Sequence, residues 1–362
     1  MRKKVLVGMS GGVDSSVAAL LLKEEGYDVS GVFMKVWDEK NECKDRFSIS
    51  ACYSPEGRDI EDAKKVAELL GIKLYIIDLS KEYSDTVLSY FKKEYLAGRT
   101  PNPCVVCNRF LKFGLLLDRF TEIEKSHFDL FATGHYAIVG LDRERGRYIL
   151  KKGIDKKKEQ SYFLFLLTQK QLSQVMFPLG MYKKSEVRKM AERYKLPVRD
   201  KEESQDFIAG GREALFSDEI ETGEIVDKDG NLLGLYKGIF RYTIGQRKGM
   251  GIAKGKPLYI TEIDSENKRI VLGEKKDVYK SEFLVEKTNW VSVEEITEPV
   301  KAGVKVRYKH TEADATVYPP DKDNCVKVVF DRPQWAITPG QAAVFYKGDI
   351  LLGGGFIKTV YK

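Results

Sequence analysis

The sequence predicts an α/β protein. A doubly wound parallel sheet is expected over residues 1–210, a small mostly-β middle over 211–276, and a tail of short antiparallel strands over 277–362. Three observations predict this. Strand-like and helix-like segments alternate through the first 200 residues. The first strand breaks into Ser10-Gly11-Gly12 directly before a helix. After Tyr279, short apolar strands follow one another at close, regular spacing, as in a small antiparallel barrel or sandwich.

The elements can be justified in order. Residues 4–9 are a short apolar run that reads as a buried parallel strand, and 28–35, 73–79 and 128–137 read likewise. Helical patterns fall between them at 15–26, 59–71, 82–98 and 108–120. Alternation of this kind builds a parallel sheet with ligands at the carboxyl ends of its strands, where the Ser-Gly-Gly turn lies. Residues 160–195 look mostly helical and extend this domain. In the middle segment, Asp229-Gly230-Asn231 and Ser265-Glu266-Asn267 are the turns of two expected hairpins. In the tail, strands are expected at 304–309, 315–318, 325–330, 342–346 and 350–353.

Composition narrows the class. The 362 residues are 43% hydrophobic and 32% charged, as in a soluble globular protein. No apolar run is long enough to span a membrane and no signal-peptide core precedes the first strand, so a cytoplasmic location without a membrane partner is expected. Lysine and arginine outnumber aspartate and glutamate by 61 to 54, and the excess is uneven. Residues 151–158 hold five lysines, and 183–201 and 237–256 are also basic, a distribution that suits a polyanion. Five cysteines in such a chain do not suggest a disulfide framework.

Three motifs carry chemistry. In Ser10-Gly11-Gly12-Val13-Asp14-Ser15-Ser16, two glycines permit a tight turn and close ligand approach, and the following helix N-terminus aims backbone N–H groups at one spot. The string lacks the Gly-Lys-Ser of a Walker loop. In Pro101-Asn102-Pro103-Cys104-Val105-Val106-Cys107-Asn108, two prolines set an extended loop before a Cys-x-x-Cys. Asn108 is expected to cap the next helix, which would put Cys107 beside its N-terminus and favour the thiolate. A zinc site would need two further soft ligands; Cys43 and Cys52 are the nearest candidates. In Phe131-Ala132-Thr133-Gly134-His135-Tyr136, a strand end faces the same crevice, with His135 as a binding candidate.

The first motif resembles the pyrophosphate loop of ATP pyrophosphatases. Together with Gly98-Arg99-Thr100-Pro101-Asn102-Pro103, Cys107-Asn108, Ala132-Thr133-Gly134-His135-Tyr136, Gln160-Ser161-Tyr162-Phe163-Leu164 and Tyr242-Thr243-Ile244-Gly245-Gln246-Arg247-Lys248-Gly249, it occurs in the order found in tRNA-specific 2-thiouridylases. The resemblance implies an ATP pyrophosphatase (PP-loop) domain, a small central domain that contacts tRNA, and a C-terminal antiparallel β-barrel. It implies that ATP adenylates the C2 oxygen of the tRNA wobble uridine, after which sulfur replaces the oxygen. Gly8, Ser10, Gly11, Gly12, Asp14, Ser15 and Ser16 would hold the ATP phosphates with Mg2+, and Met34 and Gly134 the adenosine. Asn102, Lys112, Gln160, Lys183, Lys184, Arg188, Gln246, Arg247 and Lys248 would contact the tRNA anticodon stem-loop. Asp14, Cys104 and Cys107 would be catalytic, and sulfur would come from a sulfur-carrier protein, a cysteine desulfurase or sulfide.

The chain also departs from the pattern. Many members carry a second catalytic cysteine in the loop equivalent to Glu203-Ser204-Gln205-Asp206-Phe207-Ile208, whereas here no cysteine lies between Cys107 and Cys325. Many have Asp where Cys104 stands. Two chemistries fit this exchange. Cys104 and Cys107 could cycle as a dithiol pair. They could also bind a [4Fe-4S] cluster with Cys52, or Cys43, as third ligand, an arrangement the loss of the usual partner favours. Cys325 is expected in the core of the tail. The competing functions are another adenylating enzyme with a small substrate, and a tRNA-binding protein without catalysis.

Overall fold

The computed structural model describes residues 2–37, 58–125, 127–202, 215–216, 220–252 and 255–361. Cys43, Cys52 and the Ser204 loop lie outside them. The chain divides into two compact units. The first holds Met1–Val87, Cys104–Gly210 and Asp349–Leu351; the second holds Leu88–Pro103, Gly211–Gly348 and Leu352–Lys362. Among the described residues, no helix is long and apolar enough to cross a membrane.

The first unit is built on a five-stranded parallel sheet. Its strands are β1 (Lys4–Gly8), β2 (Asp28–Lys35), β3 (Leu74–Asp78), β4 (Leu130–Ala132) and β7 (Val175–Met176), in the order β3-β2-β1-β4-β7. Val5, Leu6 and Val7 of β1 are all buried, because a central parallel strand is covered on both faces and needs an unbroken apolar run. The chain runs from β1 outward to β3 and then returns to add β4 on the other side of β1, so the order reverses between β1 and β4. A reversal of this kind leaves a crevice outside the strand ends, the usual ligand position in such sheets. Helix α1 (Val13–Glu24) follows β1, and its residues from Val17 to Leu22 are buried. Helix α2 (Arg58–Leu70) buries Ala63, Val66 and Leu70.

Two expectations for this unit need correction. The predicted strand over 128–137 is two strands, with β4 ending at Ala132 and β5 (Ala137–Asp142) starting afresh. Gly134 accounts for the break: a Cβ there would lie 2.7 Å from the Asp14 carbonyl carbon, so the chain turns against the start of α1. Strand β5 then forms an unpredicted hairpin with β6 (Arg147–Lys152), and within the unit Ile350 and Leu351 pair with Lys151 and Leu150. Second, the helix expected from 108 begins at Pro103. Three consecutive stretches, Pro103–Val106, the wider π-helical Cys107–Leu115, and Leu116–Glu124, make one helical run. Proline is favoured at a helix's first position, where its fixed φ fits and its missing N–H costs nothing. Asn108 is therefore inside the helix, buried, with its Nδ2 donating to the Phe163 carbonyl at 3.1 Å.

The 160–195 region is less helical than expected. It contains the short turns Ser161–Leu164, Gln169–Leu172 and Pro178–Met181, the edge strand β7, and one full helix, Lys184–Arg193.

In the second unit, β8 (Thr222–Asp227) and β9 (Leu232–Lys237) form the first predicted hairpin, and β10 (Tyr259–Asp264) and β11 (Arg269–Gly273) the second. Parallel pairing of β11 with β8 joins them into one sheet. The tail strands are β12 (Tyr279–Trp290), β13 (Val300–Lys305), β14 (Ala313–Pro320), β15 (Val326–Trp335), β16 (Ala342–Lys347) and β17 (Ile350–Val360). They run in the order β12-β15-β14-β13-β16-β17, and β12 also pairs with β17. That last pairing closes a six-stranded antiparallel barrel, which removes both sheet edges. Its interior is filled by Phe283, Val304, Val328, Phe345 and their neighbours. Cys325 is buried next to β15, with Lys358 Nζ donating to its Sγ at 3.4 Å.

Candidate active site

Sequence alone expected a phosphate site after β1. In the first unit, a cavity of about 180 Å³ opens at the ends of β1, β2 and β4. Gly8, Ser10, Asp14 and Ser15 line it from the first loop, Met34 from β2, and Gly134 from the β4 loop. Lys112 and Gln160, expected on tRNA, line it as well. Together with His135, nine residues chosen from sequence thus meet in one cavity at the reversal of strand order.

The loop geometry follows from short side chains folding back on the backbone. Ser15 Oγ and Ser16 Oγ both donate to the Gly12 carbonyl, at 3.1 and 2.8 Å, while Ser10 N donates to Ser15 Oγ at 3.1 Å. Ser16 is fully buried, so its hydroxyl braces the turn rather than facing the cavity. Gly11 has φ +71°, in the left-handed region that only glycine enters without cost, and a Cβ there would strike the Asp59 carbonyl.

Asp14 is held by two partners. Its Oδ1 accepts from Tyr136 Oη at 2.8 Å and from Lys184 Nζ at 2.6 Å. Sequence reading missed Tyr136 and put Lys184 on tRNA. Gln160 Oε1 accepts from the Tyr136 N–H at 3.1 Å and so fixes the backbone that presents the phenol. Arg188 donates to the carbonyls of Arg199 and Lys201 at 2.9 and 2.8 Å. Lys201, also missed, reaches the Gly11 carbonyl at 3.1 Å and Asp62 at 2.6 Å and bonds Asp59 besides. Burial opposes its charge, but the two carboxylates outweigh burial and raise its pKa.

His135 lines the cavity beside Thr133, whose hydroxyl lies 2.7 Å from His135 Nδ1. Burial first, and then the Lys112 charge, hold its pKa well below the usual histidine value. At neutral pH it is an uncharged hydrogen-bonding wall.

The remaining expected residues lie elsewhere. Cys104 and Cys107, both half-buried thiols, share one helical turn, flanked by the buried Val105 and Val106. With the helix starting at Pro103, it is Cys104 and not Cys107 that occupies the first turn. Among the described residues, no group of three or more His, Cys, Asp or Glu side chains could hold a metal ion. Lys183 is exposed, its N–H bound by Glu186 at 2.7 Å. In the second unit, Asn102 is buried with its N–H donating to Tyr90 Oη at 3.3 Å. There too, Gln246 closes a turn through Thr243 and Lys248, leaving Arg247 and Lys248 exposed.

Three family models match successive parts of the chain. Residues 3–209 match the tRNA methyl transferase HUP domain family, 217–274 the tRNA methyl transferase PRC-barrel domain, and 280–357 the aminomethyltransferase beta-barrel domain. The chain is 48% identical to tRNA-specific 2-thiouridylase MnmA 1 of Caldanaerobacter subterraneus subsp. tengcongensis, over 99% of this chain and 98% of that one. It is 47% identical to tRNA-specific 2-thiouridylase MnmA 2 of a Thermoanaerobacter species, over the full length of both. It is 44% identical to tRNA-specific 2-thiouridylase MnmA of Acetivibrio thermocellus, over 99% of each.

Proposed function

The chain belongs to the tRNA-specific 2-thiouridylase family, and from that premise we propose that it uses ATP to replace the C2 oxygen of the tRNA wobble uridine with sulfur. The observation that carries the reading is the single cavity shared by Ser10, Asp14, Ser15, Met34 and Gly134. In this reading residues 1–210 activate the base, and 211–276 supply tRNA contacts through Gln246, Arg247 and Lys248.

The cavity suits ATP. The Ser-Gly-Gly turn and the start of α1 offer hydroxyl and N–H donors to phosphate oxygens. Met34 and Gly134 give an apolar wall and a close backbone approach for the adenosine. Asp14 is a carboxylate able to hold Mg2+ together with phosphate oxygens, which is how that ion is usually bound. Bound there, Mg2+ supplies positive charge against the phosphates. Lys184, already on Asp14, adds a second positive charge at the same point. The uridine C2 oxygen attacks the α-phosphorus, pyrophosphate leaves, and the oxygen is then carried as AMP, a far better leaving group. The base must be splayed out of the anticodon loop to be reached.

For sulfur, Cys104 and Cys107 are the half-exposed thiols among the described residues. One carries a persulfide, its outer sulfur transferred from the persulfide of a carrier protein or a cysteine desulfurase, whose own thiolate is released. Its terminal sulfur attacks C2 and AMP departs. The second thiolate then attacks the first cysteine's sulfur, forming a disulfide and releasing the 2-thiouridine; an external thiol reductant restores the pair. An iron–sulfur cluster needs Cys52 or Cys43 as well, both outside the described residues.

The test is anaerobic incubation with unmodified tRNA, ATP and a cysteine desulfurase supplied with cysteine as the persulfide donor. Pyrophosphate release together with 2-thiouridine is expected. Pyrophosphate release without thiolation overturns the sulfur half, and no ATP turnover leaves an RNA-binding protein. Cys104→Ser and Cys107→Ser should each abolish thiolation while pyrophosphate release persists. An active Cys104→Ser variant would remove Cys104 from both sulfur routes.

A further inference from the structure

Lys201 holds the Ser-Gly-Gly turn through the backbone carbonyl of Gly11. Its ammonium donates to the Gly11 carbonyl at 3.1 Å and is held there by Asp62 at 2.6 Å and by the buried Asp59, both in the first turns of α2. Arg188 in turn fixes the backbone of Lys201 through the carbonyls of Arg199 and Lys201.

The consequence lies in the Gly11–Gly12 peptide. No cis peptide bond occurs among the described residues, so this unit is trans and its C=O and N–H point in opposite directions. With the Gly11 carbonyl held toward Lys201, the Gly12 N–H points away from it. Rotating this peptide changes only ψ of Gly11 and φ of Gly12, and neither residue has a Cβ to oppose the turn. The glycines that admit the phosphate thus leave the peptide free to flip, and a flipped unit would offer an anion a carbonyl oxygen instead of an N–H. We propose that Lys201 is a positioning residue that locks the Gly11–Gly12 peptide with its N–H available to the ATP phosphates. This rests on the reading of the cavity as an ATP site. Lys201 does not touch the nucleotide and acts through Gly11.

A lock of this kind matters to phosphates and not to the nucleoside, so the test compares the two. Binding of ATP and of adenosine is titrated to the wild-type chain and to Lys201→Met. Loss of a charge-assisted hydrogen bond predicts that ATP weakens about tenfold or more, with adenosine within about twofold, and that Lys201→Arg recovers part of the loss. Unchanged ATP binding, or an equal loss for both ligands, overturns the proposal. Should Lys201→Met fail to fold by circular dichroism, Lys201→Gln is read by the same ratio, since its shorter side chain cannot reach Asp62 and Gly11 together. A wild-type chain that binds no ATP refutes the ATP reading itself, and the lock with it.

Discussion

At His135, burial and the nearby Lys112 both act against a positive charge, and the imidazole stays neutral in the folded chain well below the ordinary histidine range. In the unfolded chain the same ring titrates near 6.5. As pH falls through that value, the unfolded state takes up a proton that the folded state refuses, so stability declines toward acid. One proton contributes at most about 1.4 kcal/mol per pH unit to this slope. His310 acts with the same sign, its pKa lowered by burial and by Arg307 and Lys305. Denaturant unfolding of His135→Gln between pH 5 and 7 should therefore show a shallower loss of stability than the wild type. Parallel curves would mean that His135 does not carry this dependence. The residue scale also shows why Asp14 was legible in sequence and its partners were not. Tyr136 lies 122 positions from Asp14 and Lys184 lies 170. No local pattern encodes contacts at those separations.

At the scale of elements, the strands buried on both faces were the most legible. β1 and the second half of β2 read as apolar runs, Val5–Val7 and Val32–Met34, because the sheet leaves them no solvent side. Two boundaries misread from sequence share one cause. Proline and glycine each have two structural uses, and the tertiary setting selects between them. Pro103 reads as a loop residue but opens a helix, and Gly134 reads as a strand end but serves as a point of close packing. Gly134 gives the sharper test. A Cβ there would lie 2.7 Å from the Asp14 carbonyl carbon and 2.8 Å from the Ser15 nitrogen, with backbone on both sides and no flexible side chain to yield. Gly134→Ala should cost roughly 1–3 kcal/mol of stability, the usual cost of overpacking. It should also weaken ATP binding, because the atoms it displaces are those that present Asp14 and Ser15 to the cavity. A variant with wild-type melting and ATP affinity would show that the β4 loop can retreat without consequence.

At the scale of the whole molecule, the two units are not consecutive pieces of chain. The chain passes from one unit to the other five times, at 87/88, 103/104, 210/211, 348/349 and 351/352. Strand spacing alone left barrel and sandwich open and the family resemblance supplied the barrel, because the deciding pair, β12 with β17, joins strands at opposite ends of the tail. The same long range makes the first unit depend on residues near the C-terminus. Leu351 pairs with Leu150, both fully buried, and the Lys152 N–H donates to the Asp349 carbonyl at 2.9 Å. A chain cut after residue 276, where sequence puts the start of the third segment, loses these contacts and leaves β6 with an unpaired edge, which invites association. The truncated chain is expected to melt at lower temperature in its nucleotide-binding half and to aggregate. In the intact chain, Leu351→Ala should destabilise that half by about 2–5 kcal/mol, the range for emptying a fully buried leucine site. Hydrogen exchange over residues 147–152 reads the effect directly. Faster exchange there in both variants is the expected result, and wild-type protection in the truncated chain would show that the first unit holds its hairpin without the three C-terminal residues.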